Sequence, residues 1–247
     1  FRGQRNAYMT DFKIEKIAES CAEFGVVLDA EKTRRLNLYG SLLLEWNEKM
    51  NLTAITAPED VLYKHFYDCI LFLKHIEVPN GASLIDVGTG AGFPGMVLKI
   101  VRPDIKVTLL DSLKKRLTFL DCVINELCLD GIETVHMRAE DAGRNKAIRE
   151  RYDIACARAV ASLPVLMEYC VPLIKTGGIF AAMKGPSAKE EVKLSADAAR
   201  LLGAAQPNII CETLTGNESR AFVISKKISQ TPTKYPRKPS DISKQPL

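Results

Sequence analysis

The chain has 247 residues, 47% of them hydrophobic, and a formal net charge of +4. Such a chain is long enough for one large α/β domain and too apolar for a disordered or fibrous protein. Its longest apolar runs, such as VTLLD and IFAAM, fall far short of the roughly 20 residues that span a bilayer, and no apolar signal segment opens it, which predicts a soluble cytoplasmic protein. In chain order, residues 1–8 (FRGQRNAY) show no periodicity. From Asp11, the apolar residues Ile14, Ile17, Ala18, Cys21 and Phe24 recur at helical spacing, and Gly25 stands where a helix would stop. A second helix is predicted after Asp29, with Leu36, Tyr39, Leu43, Trp46 and Met50 on one face. Thr56 and Glu59 form a capping-box pattern that announces a third, running through His65 to about Ile76. These make an N-terminal helical extension over residues 1–78.

After Pro79-Asn80-Gly81 the pattern changes to short β-rich runs separated by helix-length segments: 83–88, 106–111, 134–139, 152–158 and 178–184. Near-continuous apolar strands that alternate with helices predict a parallel sheet covered on both faces. Runs 208–214 and 220–226 follow each other without an intervening helix, and the turn between them contains Gly216-Asn217, which favours an antiparallel hairpin at one edge. The reading is an α/β domain over 79–227, a doubly wound, mostly parallel seven-stranded sheet. Residues 228–247 form a tail. From Lys226 onward, Lys226, Lys227, Lys234, Arg237, Lys238 and Lys244 face Asp241 alone, so the positive excess sits there, among Pro232, Pro236, Pro239 and Pro246. An extended, stiff segment is expected, either solvated or tracking nucleic-acid phosphates. The seven cysteines include no C-x-x-C pair and read as free thiols in a reducing compartment. His65, His75 and His136 have no metal-ligand spacing, and no metal is expected.

Chemistry is concentrated in LIDVGTGAGFPG. Gly88, Gly90 and Gly92 follow the first strand and precede a helix starting near Pro94, at the strand end where open α/β sheets bind ligands. Gly90, Gly92 and Gly95 also satisfy G-x-G-x-x-G, so a dinucleotide site or a purely structural turn stays open. Neighbouring carboxylates favour S-adenosylmethionine. Asp111, ending the second strand, can accept the hydroxyls of a ribose. Glu140 or Asp141, after the third, can receive an adenine amino group or cap a helix. Asp86 lies near the ligand's cationic methionine end.

The segments EWNEKMNLTAIT, HFYD, DVGTGAGFPG, LLDSLKKRLTFL, RAED, RAVASL, MKG and YPRKPSDISKQPL occur in that order. From about Leu38 onward the chain thereby resembles the bacterial guanine-N7 methyltransferases of small-subunit ribosomal RNA, the glucose-inhibited division protein B family. The resemblance implies a Rossmann-like class I methyltransferase fold, S-adenosylmethionine as donor and a guanine of 16S RNA as acceptor. It places cofactor contacts on Gly88, Phe93, Ala139, Glu140 and Arg158. Three places depart from the family's pattern: Ala91 where proline is more usual, Cys69 where serine follows the aspartate, and the stretch 239–243.

Guanine N7 has a lone pair and no proton to lose, so no general base is nominated. Arg158 is the positioning candidate, because a lone arginine after an apolar strand is expensive to bury without a partner. The target base should be splayed or in a loop, since the A-form groove that exposes N7 is deep and narrow. Lys114, Lys115, Lys184, Arg220, Lys226, Arg237 and Lys238 are the candidate phosphate contacts. The expected partner is 16S RNA or the small subunit, met by a monomer with no membrane contact. A small-molecule methyltransferase or a non-catalytic RNA-binding protein is the alternative.

Overall fold

A computed structural model describes residues 10–214 and 219–247; residues 1–8 and the Gly216-Asn217 turn lie outside the described residues. The sheet contains β1 (Ser83–Val87), β2 (Lys106–Asp111), β3 (Ile132–His136), β4 (Tyr152–Arg158), β5 (Ile174–Lys184), β6 (Asn208–Thr213) and β7 (Ser219–Lys226). Their order is β3-β2-β1-β4-β5-β7-β6. The first five run parallel, and β7 lies antiparallel between β5 and β6. This is the doubly wound seven-stranded sheet expected from the sequence. The order in which strands are added reverses between β1 and β4, which opens a crevice at their carboxyl ends. β3 ends earlier than predicted, because Glu140 and Asp141 fall in the first turn of a short helix, Ala139–Ala142, where acidic side chains are favoured.

Helices α1 (Glu15–Ala22) and α2 (Ala30–Met50) lie against one face of the sheet and share its hydrophobic core through Ile17, Cys21, Leu36, Tyr39 and Leu43. α2 begins after Asp29, as the sequence predicted, and Asp29 caps it by accepting from Lys32 N at 2.9 Å. The third helix is less regular than expected. Thr56 does not cap it; Ala57 occupies that position and Pro58, with no N–H to satisfy, leads the first turn. The segment then widens into a π-helical stretch, Val61–Tyr67, before resuming as Asp68–Ile70 and Phe72–His75. The opposite face is covered by Leu163–Cys170, Ala188–Leu194 and Ala196–Leu202.

The tail is neither free nor extended throughout. Lys227 is 1% exposed and its Nζ donates to Glu150 Oε1 and to the carbonyls of Val171 and Ile174. Arg149 reaches the carbonyls of Thr231 and Tyr235, and Arg144 that of Pro236. Arg237 grips fully buried Glu168 through Nε and Nη2, and a helix, Pro239–Lys244, follows. A buried carboxylate must be compensated, and removing one member of such a pair costs about 3–5 kcal/mol. Here the basic residues answer buried acceptors, which is why they leave solvent.

The glycine turn is packed from behind. Tyr39, fully buried, donates its hydroxyl to Ala91 O at 2.5 Å. Gly92 has φ +104°, and a Cβ there would meet the Tyr39 hydroxyl at 2.7 Å, Leu120 Cδ2 at 2.8 Å and Met96 Cβ at 2.9 Å. Gly92→Ala therefore combines backbone strain with overpacking, each about 1–3 kcal/mol. A loss of about 2–4 kcal/mol in urea unfolding with an unchanged slope is expected; a loss below about 1 kcal/mol would show that the turn is not held this way.

Candidate functional site

Parallel register brings the carboxyl ends of β1, β2 and β4 together, with Val87 beside Leu110 and Asp86 beside Cys156. The chain after β1 turns back on β2: Gly88 N and Thr89 N both donate to Leu110 O, at 2.8 and 3.0 Å. Gly88 has φ +70° and Gly90 φ +61°, which only glycine adopts at low strain. Gly90 N then donates to Asp111 Oδ2 at 3.0 Å, while Leu113 N donates to Asp111 Oδ1 at 2.8 Å. Arg116 Nη1 adds a third contact to Asp111, at 3.3 Å. The carboxylate is thereby fixed at the mouth of β2.

Above it lies a cavity of about 510 Å³, lined by Gly88, Asp111, Ala139 and Glu140 and by the unpredicted Tyr169 and Ser243. Of the nine residues expected to bind cofactor, those first four are brought together there. Asp86 is not. It is fully buried under the turn, where Oδ2 accepts from Thr89 Oγ1 at 2.7 Å and from Gly95 N at 2.9 Å. Burial pushes its carboxyl up to about 6 against those two bonds. These bonds staple the turn to the start of Gly95–Val101, and Asp86 does not line the cavity. Gly90 and Gly92 shape the turn without lining the cavity.

Arg158 belongs to a second cavity region of about 340 Å³, which adjoins the first at Ala159 and is lined by Lys64, His65, Asp68, Arg158, Lys184 and Arg220, while Phe93 lines neither cavity. Phe93 is 5% exposed and stacks on His65 with ring centroids 4.2 Å apart. The Arg158 guanidinium carbon sits 4.8 Å from the Phe93 ring centre, a cation–π arrangement. Arg158 Nη1 donates to Lys64 O and Asp68 Oδ2, and Nη2 to His65 Nδ1, each at 3.0 Å. Asp68 is 0% exposed and its other oxygen accepts from Arg220 Nε at 3.0 Å. The expensive arginine thus has its partner, supplied from the π-helical stretch and the residues beyond it.

A guanidinium only donates, so His65 Nδ1 is an acceptor and the proton sits on Nε2, which lies 2.9 Å from Thr53 Oγ1. Burial and the positive charge of Arg158 hold the imidazole down to about 3. His65 is therefore a neutral brace and no proton acceptor for chemistry.

The phosphate candidates scatter. Lys114 and Lys115 are exposed at the start of the helix after β2. Lys184 is turned inward onto Ala161 O and Glu191, with its side chain 11% exposed. Arg220 is held by Asp68. Lys226 pairs with Ile179 whereas Ala221 pairs with Lys184, so antiparallel β7 carries Lys226 to the end of the sheet away from both cavities. It shares no rim with Lys184 and Arg220. Arg237 is engaged by Glu168, and Lys238 is exposed just ahead of the last helix. Sequence reasoning did not nominate His65, Asp68 or Tyr169. The signal for the first two was a polar pair three apart inside an apolar helical stretch.

The family model described as rRNA small subunit methyltransferase G matches residues 32–220. A protein of Acetivibrio thermocellus named ribosomal RNA small subunit methyltransferase G is 51% identical over 96% of this chain and 98% of its own length. One of the same name from Desulforamulus reducens is 46% identical, covering 97% of this chain and 100% of its own. Among solved structures, an S-adenosylmethionine-dependent O-methyltransferase of Thermotoga maritima superposes with a TM-score of 0.50 at 15% identity, over 77% of this chain and 72% of that one. That likeness is one of fold alone.

The His65 geometry has a pH signature. An unfolded histidine binds its proton below about 6.5, but the folded one resists until about 3, so stability is complete above pH 6.5 and is lost as pH falls toward 3. Between pH 7.5 and 5 the wild type should lose about 2 kcal/mol more than His65→Gln, by urea unfolding at both pH values. Equal losses would place the low-pKa group elsewhere.

Proposed function

The chain belongs to the rRNA small subunit methyltransferase G family, and from that premise we propose that it transfers a methyl group from S-adenosylmethionine to N7 of a guanine in 16S ribosomal RNA. The observation that carries this reading is the pair of cavities meeting at Ala159, one edged by acceptor carboxylates and the other by an arginine cluster. Methyl transfer is an in-line displacement, which needs donor and acceptor held in abutting sites about 3–3.5 Å apart at the reacting atoms.

The residues of the first cavity fit the donor's chemistry. Asp111 and Glu140 offer acceptors for ribose hydroxyls and an adenine amino group, and the Gly88 edge admits close backbone approach. When bound, S-adenosylmethionine supplies a methyl carbon activated by the adjoining sulfonium. The protein's part is to bind, orient and exclude water. No proton has to leave N7, and the histidine of the second cavity already has both ring nitrogens engaged. Catalysis then rests on positioning, with Arg158 as the central positioning residue. Its hydrogen bonds to Lys64 O, Asp68 and His65 fix the guanidinium on the second cavity, one residue before the Ala159 that both cavities share.

The second cavity has room for a planar base but not for a duplex. A guanine presented from a loop or flipped from its stack suits it, since N7 is not reachable in the deep A-form groove. Among the described residues no helix is long and apolar enough to cross a membrane. We read the protein as acting as a monomer in the cytoplasm, on ribosomal RNA or on the small subunit.

Small subunits from cells lacking the enzyme, incubated with methyl-labelled donor, should acquire label as 7-methylguanosine at one position of 16S RNA. Label on an exocyclic atom, or none, overturns the assignment. Arg158→Lys keeps a charge but loses the planar two-nitrogen fork that reaches Lys64 O and Asp68 from one nitrogen and His65 from the other; it should lower turnover at least 100-fold. Asp111→Ala should weaken S-adenosylhomocysteine binding at least tenfold by calorimetry, and an unchanged Kd would remove Asp111 from the site.

A further inference from the structure

The basic tail has a different use from the one its charge suggests. Pro239 and Ser243, both in its closing helix Pro239–Lys244, line the larger cavity together with Gly88, Asp111, Glu140 and Tyr169. That helix is seated from inside the protein. Ile242 is 0% exposed, and Arg237, two residues ahead of Pro239, is bound to buried Glu168 by its backbone N–H as well as its guanidinium. Glu168 precedes Tyr169 in the helix Leu163–Cys170, so the clamp and the aromatic on the cavity wall are adjacent in one element. On the other side, Pro236 is packed on Gly143, where a Cβ would meet its ring at 2.8 Å, and Arg144 Nε donates to its carbonyl at 2.9 Å. Gly143 caps the short helix that carries Ala139 and Glu140 on the same cavity. Residues 236–243 are thus clamped between the two elements that wall the cavity beyond β3 and β4.

We propose that residues 237–243 are a wall of the cofactor site, seated by the Arg237–Glu168 pair, and that this segment retains S-adenosylmethionine rather than tracking RNA phosphates. This rests on the proposed donor site. Arg237 acts as a positioning residue: its four hydrogen bonds to Glu168 face away from ligand, and what it delivers is Pro239 and Ser243. A segment tied only at its ends and by one buried isoleucine gains order when a ligand fills the space it borders.

Hydrogen exchange on the full-length chain, with S-adenosylhomocysteine and no RNA, tests this directly. Amides of 237–245 should exchange at least tenfold more slowly with ligand. Arg237→Gln should raise the S-adenosylhomocysteine Kd about tenfold. Ser243→Trp, which alters an exposed position and so leaves the fold intact, should raise it at least as much. A wild type that fails to bind S-adenosylhomocysteine removes both the donor site and this wall. Binding without protection of 237–245, or a Kd within twofold of wild type in Ser243→Trp, removes the wall alone. Protection of the tail by target RNA but not by S-adenosylhomocysteine restores the phosphate-tracking arm.

Discussion

Asp68 is the residue on which the two halves of the molecule depend. Its carboxylate is completely buried, and its salt bridges run to Arg158 at the end of β4 and Arg220 at the start of β7. Removing either partner leaves a charge stranded in a low dielectric, which is far costlier than the pair is favourable. The helical segment 58–75 therefore has one position against the sheet. That position sets His65 and Phe93, and through them the plane of the Arg158 guanidinium. The N-terminal helices, whose role is opaque in the sequence, are the scaffold that points this arginine.

A second constraint acts from the same direction. Tyr39 of α2 reaches the glycine turn and bonds to Ala91 O, and Gly92 has no room for a side chain because that hydroxyl is there. One N-terminal element thus braces the glycine turn beside the first cavity, the proposed donor site, while another fixes the wall of the second, the proposed acceptor site. Donor and acceptor geometry are coupled through packing. The tight interior between them transmits displacement instead of absorbing it. For the transfer by alignment proposed above, such coupling is the main thing a protein can supply.

Much of the site was legible because it is local. A glycine turn at a strand end, and carboxylates at the ends of the next two strands, follow from a repeating βα pattern with no knowledge of distant contacts. The burial of Asp86 was not legible in the same way. Two residues from Gly88 in sequence, it is separated from the cavity by the turn itself and bonds to Gly95 instead. The partner of Arg158 lies 90 residues earlier, and no periodicity in either segment points to the other. Lys226 is a different kind of miss. The antiparallel hairpin was foreseen, and its direction already implies that a strand entering at the site with Arg220 must leave it by Lys226.

The tail shows what charge counting omits. Net charge is a sum over residues, but the field outside a protein depends on which charges face water and which are matched within it. Lys227 and Arg237 contribute fully to the count and little to the exterior, since Lys227 is buried against half-buried Glu150 and Arg237 is held by buried Glu168. Both carboxylates, Glu150 and Glu168, lie more than 60 residues away in the sequence. A run of basic residues therefore carries two readings that composition cannot separate: attraction to an external polyanion, or recruitment by buried acids of the same chain. Prolines tip the balance here. Pro236 fills the space over Gly143 and Pro239 starts the last helix, so the stiff backbone expected of an extended arm serves to lay the segment along the protein. The path of the segment depended on acids that only the fold brings near.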